Sequence, residues 1–127
     1  MQNFPYVMTM MSYSFTNQCQ NEYKKLIKKF RSLEADIERF CKFTLKLEED
    51  SGFPSTNKNY TLLKERVGAS VYKAKMPCTT LRGNKFRVIY ARHDDSIEII
   101  FIELYIKSEN NREDKQRIDD YLSNQTQ

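Results

Sequence analysis

Between Val71 and Tyr90 the chain runs VYKAKMPCTTLRGNKFRVIY, placing Lys73, Lys75, Arg82, Lys85 and Arg87 among β-branched and aromatic residues. From Lys64 to Arg92, eight Lys or Arg stand against the single acid Glu65, although the whole chain carries only +4. Cations gathered in one stretch select an anionic partner, either nucleic acid or an acidic protein surface. Lysine brings a mobile point charge; arginine brings a planar fork that takes phosphate or carboxylate oxygens two at a time.

Strand geometry decides which of these cations can act together, because side chains two residues apart share a face. Lys73 and Lys75 share one face, and Tyr72, Ala74 and Met76 the other. On the next strand Lys85 and Arg87 share a face that Phe86, Val88 and Tyr90 do not. On the last, Glu103, Tyr105 and Lys107 share parity, and Ile100, Ile102, Leu104 and Ile106 are expected to form an unbroken apolar face. Consecutive hairpins would then gather Lys73, Lys75, Arg87, Tyr105 and Lys107 on one side and the core on the other. A solvated face of a half-buried antiparallel sheet alternates in the same way, so parity alone leaves both a site and an idle surface open.

The elements that must position these residues follow from periodicity. Alternation from Met8 to Phe15 predicts an opening strand, with Thr16 or Asn17 capping the next helix. Tyr23, Leu26, Ile27, Phe30 and Leu33 recur at helical spacing, and the intervening lysines form a solvated face. Ser32 starts a second helix with Ile37, Phe40, Cys41, Thr44 and Leu45 as its apolar stripe, so the two helices make an α-hairpin. SGFPSTNKN is a loop, and TLLKERVG a short turn or strand entry. VYKAKM, KFRVIYAR and SIEIIFIELYIK are three antiparallel strands, and NREDKQRIDDYL is a closing helix with Ile118, Tyr121 and Leu122 on its apolar edge. The predicted class is α+β: an N-terminal strand, an α-hairpin, a three-stranded antiparallel meander and a C-terminal helix. His93 is expected in an exposed turn, and Glu103 in a salt bridge to Arg87 or a lysine.

At 127 residues the chain has the length of one domain, expected over 1–127 with residues 1–12 as a loosely ordered extension. No window approaches the roughly 20 apolar residues of a membrane span, and no basic leader precedes an apolar run. Cys19, Cys41 and Cys78 are odd in number and widely spaced, supporting neither a disulfide framework nor a zinc site. Cys41 and Cys78 are expected as small hydrophobes, and the reducing cytoplasm is the expected compartment.

The order of elements, with Tyr72-Lys73-Ala74-Lys75 followed by Phe86-Arg87-Val88-Ile89-Tyr90 and a strand ending in YIK, resembles the RelE/ParE superfamily of bacterial toxin-antitoxin toxins from about Tyr13 to Leu122. The resemblance implies a RelE-like fold and a ribosome-dependent endoribonuclease that cleaves mRNA through its own ribose 2′-hydroxyl, without metal or other cofactor. It implies an antitoxin as protein partner, with mRNA and the ribosome as the other partners and no membrane. Carried over residue by residue, Lys73 and Lys75 are the basic pair, one a base and the other a phosphate ligand. Arg87 is the phosphate clamp, Lys107 a transition-state or leaving-group cation, and Tyr105 a stacking or proton-transferring ring. Arg82, Lys85 and Lys64 are expected to hold RNA around them. Two departures bear on this: MPCTTLRGN lengthens the hairpin, where Pro77 and Gly83 would bend it, and the C-terminal Tyr121 falls on an apolar edge. A ParE-like gyrase inhibitor, for which the strand-borne lysines have no use, and a non-catalytic RNA-binding member are the alternatives. Oligomeric state is left open.

Overall fold

The computed structural model describes residues 13–51 and 57–124, apart from the side chains of Asn84 and Lys85. Met8 to Ser12 of the expected first strand and most of the SGFPSTNKN loop lie outside the described residues. The order is β1 (Tyr13–Phe15), α1 (Asn17–Lys29), α2 (Leu33–Ser51), β2 (Tyr60–Arg66), β3 (Ala69–Cys78), β4 (Leu81–His93), β5 (Ile99–Ile106) and α3 (Lys115–Asn124). The class is α+β, as expected. Among the described residues no helix is long and apolar enough to cross a membrane.

The meander has four strands rather than three. Residues 60–66, expected as a turn or strand entry, form β2, and the sheet order is β1-β5-β4-β3-β2. β1 lies parallel to β5, and the other neighbours are antiparallel. Strand β2 could form beside β3 because Gly68, at φ 87°, supplies the left-handed residue that the turn between them requires.

Both helices of the α-hairpin start where the sequence places a hydroxyl. Thr16 accepts the Cys19 amide at 3.3 Å, and the Ser32 carbonyl accepts the Asp36 amide at 2.8 Å. Their apolar stripes bury Cys19, Leu33, Ile37, Phe40, Cys41 and Thr44 against Tyr72, Ala74, Met76, Phe86, Val88 and Tyr90. Ile27, expected in the stripe, is instead exposed, while the α1 lysines form the predicted solvated face.

The expected apolar face of β5 is broken. Ile89 pairs with Glu103 but Tyr90 pairs with Phe101, so Ile102 is an extra residue and the strand changes parity there. Phe101, Leu104 and Ile106 join the main core, while Ile102 and Tyr105 face the other way. That second face is not open solvent. Ile118 and Leu122 of α3 pack there against Ala69, Val71, Ile89, Ala91, Ile102 and Tyr105.

Candidate nucleic-acid interface

The MPCTTLRGN segment closes the hairpin with a register shift of its own but leaves the pairing of the two basic clusters intact. β3 runs to Cys78 and β4 starts at Leu81, so Thr79 and Thr80 make the turn. The irregularity is confined to the tip: Met76 pairs with Phe86 and Cys78 with Leu81, with Gly83 at φ 79° in the longer arm. Below it, Lys75 pairs directly with Arg87, and Arg87 directly with Tyr105. The next row is Lys73, Ile89 and Glu103.

Asp36 holds this hairpin in place. Its buried carboxylate accepts the Thr79 amide at 3.0 Å, the Thr79 hydroxyl at 2.9 Å and the Ser32 hydroxyl at 2.6 Å, and it pairs with Arg39. Burial pulls its pKa upward, but the hydrogen bonds from Ser32 and Thr79 outweigh burial and leave it below the ordinary carboxylate value. The tip of the cationic hairpin is thus tied to the first turn of α2, which no residue pattern in either segment announces.

The structure brings some of the predicted site residues together and leaves others apart. Lys75, Arg87 and Tyr105 form one cross-strand row, and Lys73 stands beside it on the same face of β3. Lys75 is exposed, whereas Arg87 is only 8% exposed and donates to the Phe86 carbonyl at 3.2 Å. Lys107 is exposed in the turn just after β5, and Arg82 is exposed near the hairpin tip. The Lys85 backbone lies in β4, and its side chain is outside the described residues. Lys64 is not part of this cluster: it sits on β2 opposite Val71 and pairs with Asp119 of α3.

Tyr105 is 7% exposed, and its pKa is pushed up to about 12, by burial first and then by Glu113 and Glu103, with Arg87 opposing. It is therefore a phenol near neutral pH, able to donate a hydrogen bond or a proton. Glu103 does not make the expected salt bridge as its principal bond; its carboxylate accepts the Asp114 amide at 2.8 Å. Burial raises its pKa, against that hydrogen bond and the nearby Arg117 guanidinium. Asp114 also caps α3 through Gln116 at 3.0 Å, so Glu103 fixes where the last helix begins.

Glu113, next to Asp114, was not among the residues singled out by sequence. It pairs with Lys73 at 3.0 Å, its own side chain 9% exposed and that of Lys73 30%. Burial raises the Glu113 pKa, but hydrogen bonding and the Lys73 charge win and lower it. NREDK carries both signs of charge, and only the β5-to-α3 connection shows which acid meets which strand lysine.

His93 is a correction. It ends β4 half-buried rather than lying in an exposed turn, and its Nε2 is 2.6 Å from the Tyr121 hydroxyl. Tyr121 packs against the second core as expected, with its pKa pushed up to about 12 by burial and then by Glu98. The contact between His93 and Tyr121 lies at the C-terminal end of β4, beyond the cationic row at mid-strand. Among the described residues, no group of three or more His, Cys, Asp or Glu is placed to hold a metal ion.

No family model and no curated protein matches this sequence. Among solved structures, the chain is similar to a chain of the archaeal RelE-RelB complex from Pyrococcus horikoshii OT3, at 19% identity and a TM-score of 0.45, over 77% of this chain and 96% of that one. A likeness of that extent says nothing of activity.

Proposed function

We propose that the protein is a RelE-like toxin of the cytoplasm, an endoribonuclease that cuts mRNA on the ribosome and is held inactive by a cognate antitoxin. The observation that carries this reading is the row Lys75, Arg87 and Tyr105, three residues directly opposite one another on adjacent strands with Lys73 alongside. Cleavage by a 2′-hydroxyl forms a bond from the 2′-oxygen to phosphorus as the bond to the 5′-oxygen breaks. It needs in-line positioning, a base for the 2′ proton, charge stabilisation on the phosphorane and a proton for the leaving oxygen.

In this row Arg87 grips the phosphate, Lys75 and Lys73 share the tasks of base and phosphate ligand, and the protonated Tyr105 donates toward the phosphate or the leaving oxygen. Lys107 lies close in sequence to Tyr105 and adds charge at the same end of β5. Exposed Lys75 meets RNA first, and Glu113 must release Lys73 before that lysine can engage.

The test is to express the chain without a partner and map the ends of cellular messages, beside a Lys73→Ala/Lys75→Ala/Arg87→Ala variant. Codon-phased cuts that vanish in the variant are the expected result. Arrest with intact messages and trapped gyrase would replace this reading with the ParE-like one. The burial of Arg87 and the engagement of Lys73 favour a second reading, a non-catalytic RNA-binding member, and messages left intact without arrest would establish it in place of the first.

A further inference from the structure

A cleft of about 410 Å³ opens on the α2 side of the sheet, between α2 and the part of β3 that extends past the start of β2, across the β3 edge from the cationic row, with Lys75 common to both. We propose that it is a nucleobase slot, receiving a base of the RNA strand whose backbone crosses the β3 edge at Lys75; this rests on the ribonucleolytic reading. Its volume lies in the range of small-molecule sites. Phe40 and Tyr60 form an aromatic wall, their rings stacked with centroids 6.1 Å apart, and Tyr60 is fixed by Thr44 at 2.9 Å. Phe43, one turn along α2 from Arg39 and Phe40, stands at the lip with 57% of its surface exposed.

An exposed phenyl ring beside an aromatic-walled cleft suits a flat heterocycle, because every base has a π-face. Asn59 contributes a side-chain amide with both donor and acceptor groups, which could sense the edge of a base. Its position is set by its carbonyl, which accepts the Lys75 amide at 3.0 Å.

The lining carries two cations, Lys75 and Arg39, against the one carboxylate of Asp36, which is occupied by Ser32, Thr79 and Arg39, and this charge points to a nucleotide rather than an apolar ligand. Lys75 lines the cleft and is also the exposed end of the phosphate row. Arg39 lines it too, its guanidinium oriented by Asp36 and by the Thr79 hydroxyl at 3.2 Å. A strand gripped at Lys75 therefore reaches the aromatic cleft by passing over the edge of β3. Pro77, also in the lining, leaves this edge of β3 without one backbone donor, which disfavours an added β-strand there.

The test uses the full chain and dye-labelled 2′-O-methyl trinucleotides, which bind but cannot be cut, with fluorescence anisotropy as the readout. Phe43→Ala, at an exposed position and checked for an unchanged melting temperature, is expected to weaken binding roughly ten-fold, and Phe43→Trp to retain it. Asn59→Ala is expected to flatten the preference among the four bases. Wild-type affinity in both Phe43→Ala and Asn59→Ala would overturn the slot. Mapped cuts keep the two claims apart: a chain that cuts messages at the same sites with and without Phe43 loses the slot and keeps the nuclease. A chain that binds trinucleotide through Phe43 but cuts nothing loses the nuclease and keeps the slot. Phe43→Ala that loses only an acidic protein partner, with trinucleotide binding intact, would also overturn the slot.

Discussion

Under α1 and α2 the sheet presents Tyr72, Met76, Phe86, Tyr90 and Phe101, large side chains buried among the aromatic and aliphatic residues of two helices. Under α3 it presents Ala69, Val71 and Ala91, with Lys73, Arg87 and Glu103 lying among or beside them. The first face is held mainly by apolar area, with the buried Asp36 as a polar pin at its hairpin end and Glu48 of α2 holding Arg92 of β4 at 2.9 Å toward the other. The second combines a smaller apolar cluster with ion pairs of Lys73 to Glu113 and Lys64 to Asp119, while Arg117 of α3 reaches across to Glu22 of α1. Apolar burial sets the register of the strands, and that register delivers the cations to the other side.

The largest expected effect breaks the charged side. Arg87→Ala should lower message cleavage by roughly two to three orders of magnitude, the usual effect of losing one preorganised donor to a developing negative charge. Because Arg87 is buried, melting is measured alongside, and Arg87→Lys tests whether charge without the fork suffices. Lys75→Ala, at an exposed position, should leave the melting temperature unchanged and still reduce cleavage.

Next comes the pin on the apolar side. Asp36→Ala leaves the Thr79 amide and Arg39 without their shared acceptor, and should cost about 2–3 kcal/mol in urea unfolding. The folded pKa of Asp36 is lowered, so its contribution is present above the unfolded pKa and is lost as pH falls through the folded one. The gap between wild type and variant should therefore narrow on acidification.

Much of this contrast was legible before any coordinates. The set Tyr72, Ala74, Met76, Phe86, Val88 and Tyr90 could be assigned to the core because alternation is a local property of a strand. The parity of β5 could not, because nothing in IIFIELYI marks Ile102 as the residue that is skipped; a bulge is specified jointly by the partner strand and the packing on both faces. β2 was missed in part because TLLKERVG has too few β-branched residues to stand out, and its pairing with β3 supplies what propensity lacks. Asp36 and Glu113 look like ordinary helix and loop acids, and their partners are 43 and 40 residues away.

Glu103 should show the opposite pH dependence to Asp36. Its folded pKa is raised by burial, so its contribution is present below the unfolded pKa and is lost as pH rises through the folded one. Glu103→Gln keeps an acceptor for the Asp114 amide without the charge. The variant should gain on wild type at neutral pH, and the difference should close in acid; urea midpoints from about pH 7 down to about pH 3 bracket both carboxylates.

The smallest expected effect separates the two faces without unfolding either. Glu113→Gln keeps the side-chain shape, removes the carboxylate from Lys73 and leaves α3 capped by Asp114. Binding of a single-stranded RNA probe should strengthen a few-fold at low salt. If the freed lysine reaches a phosphate, the slope of log affinity against log salt should steepen by about 0.7. Glu109→Gln removes the same charge from an exposed residue whose contact with Lys29 is 3.9 Å long, and is the control for net charge alone. Equal gains in the two variants would mean that Lys73 stays engaged on the protein, and that the RNA-facing cations are those already exposed, Lys75 first among them. A gain confined to Glu113→Gln would place Lys73 in the interface and make the segment before α3 the element that governs its access.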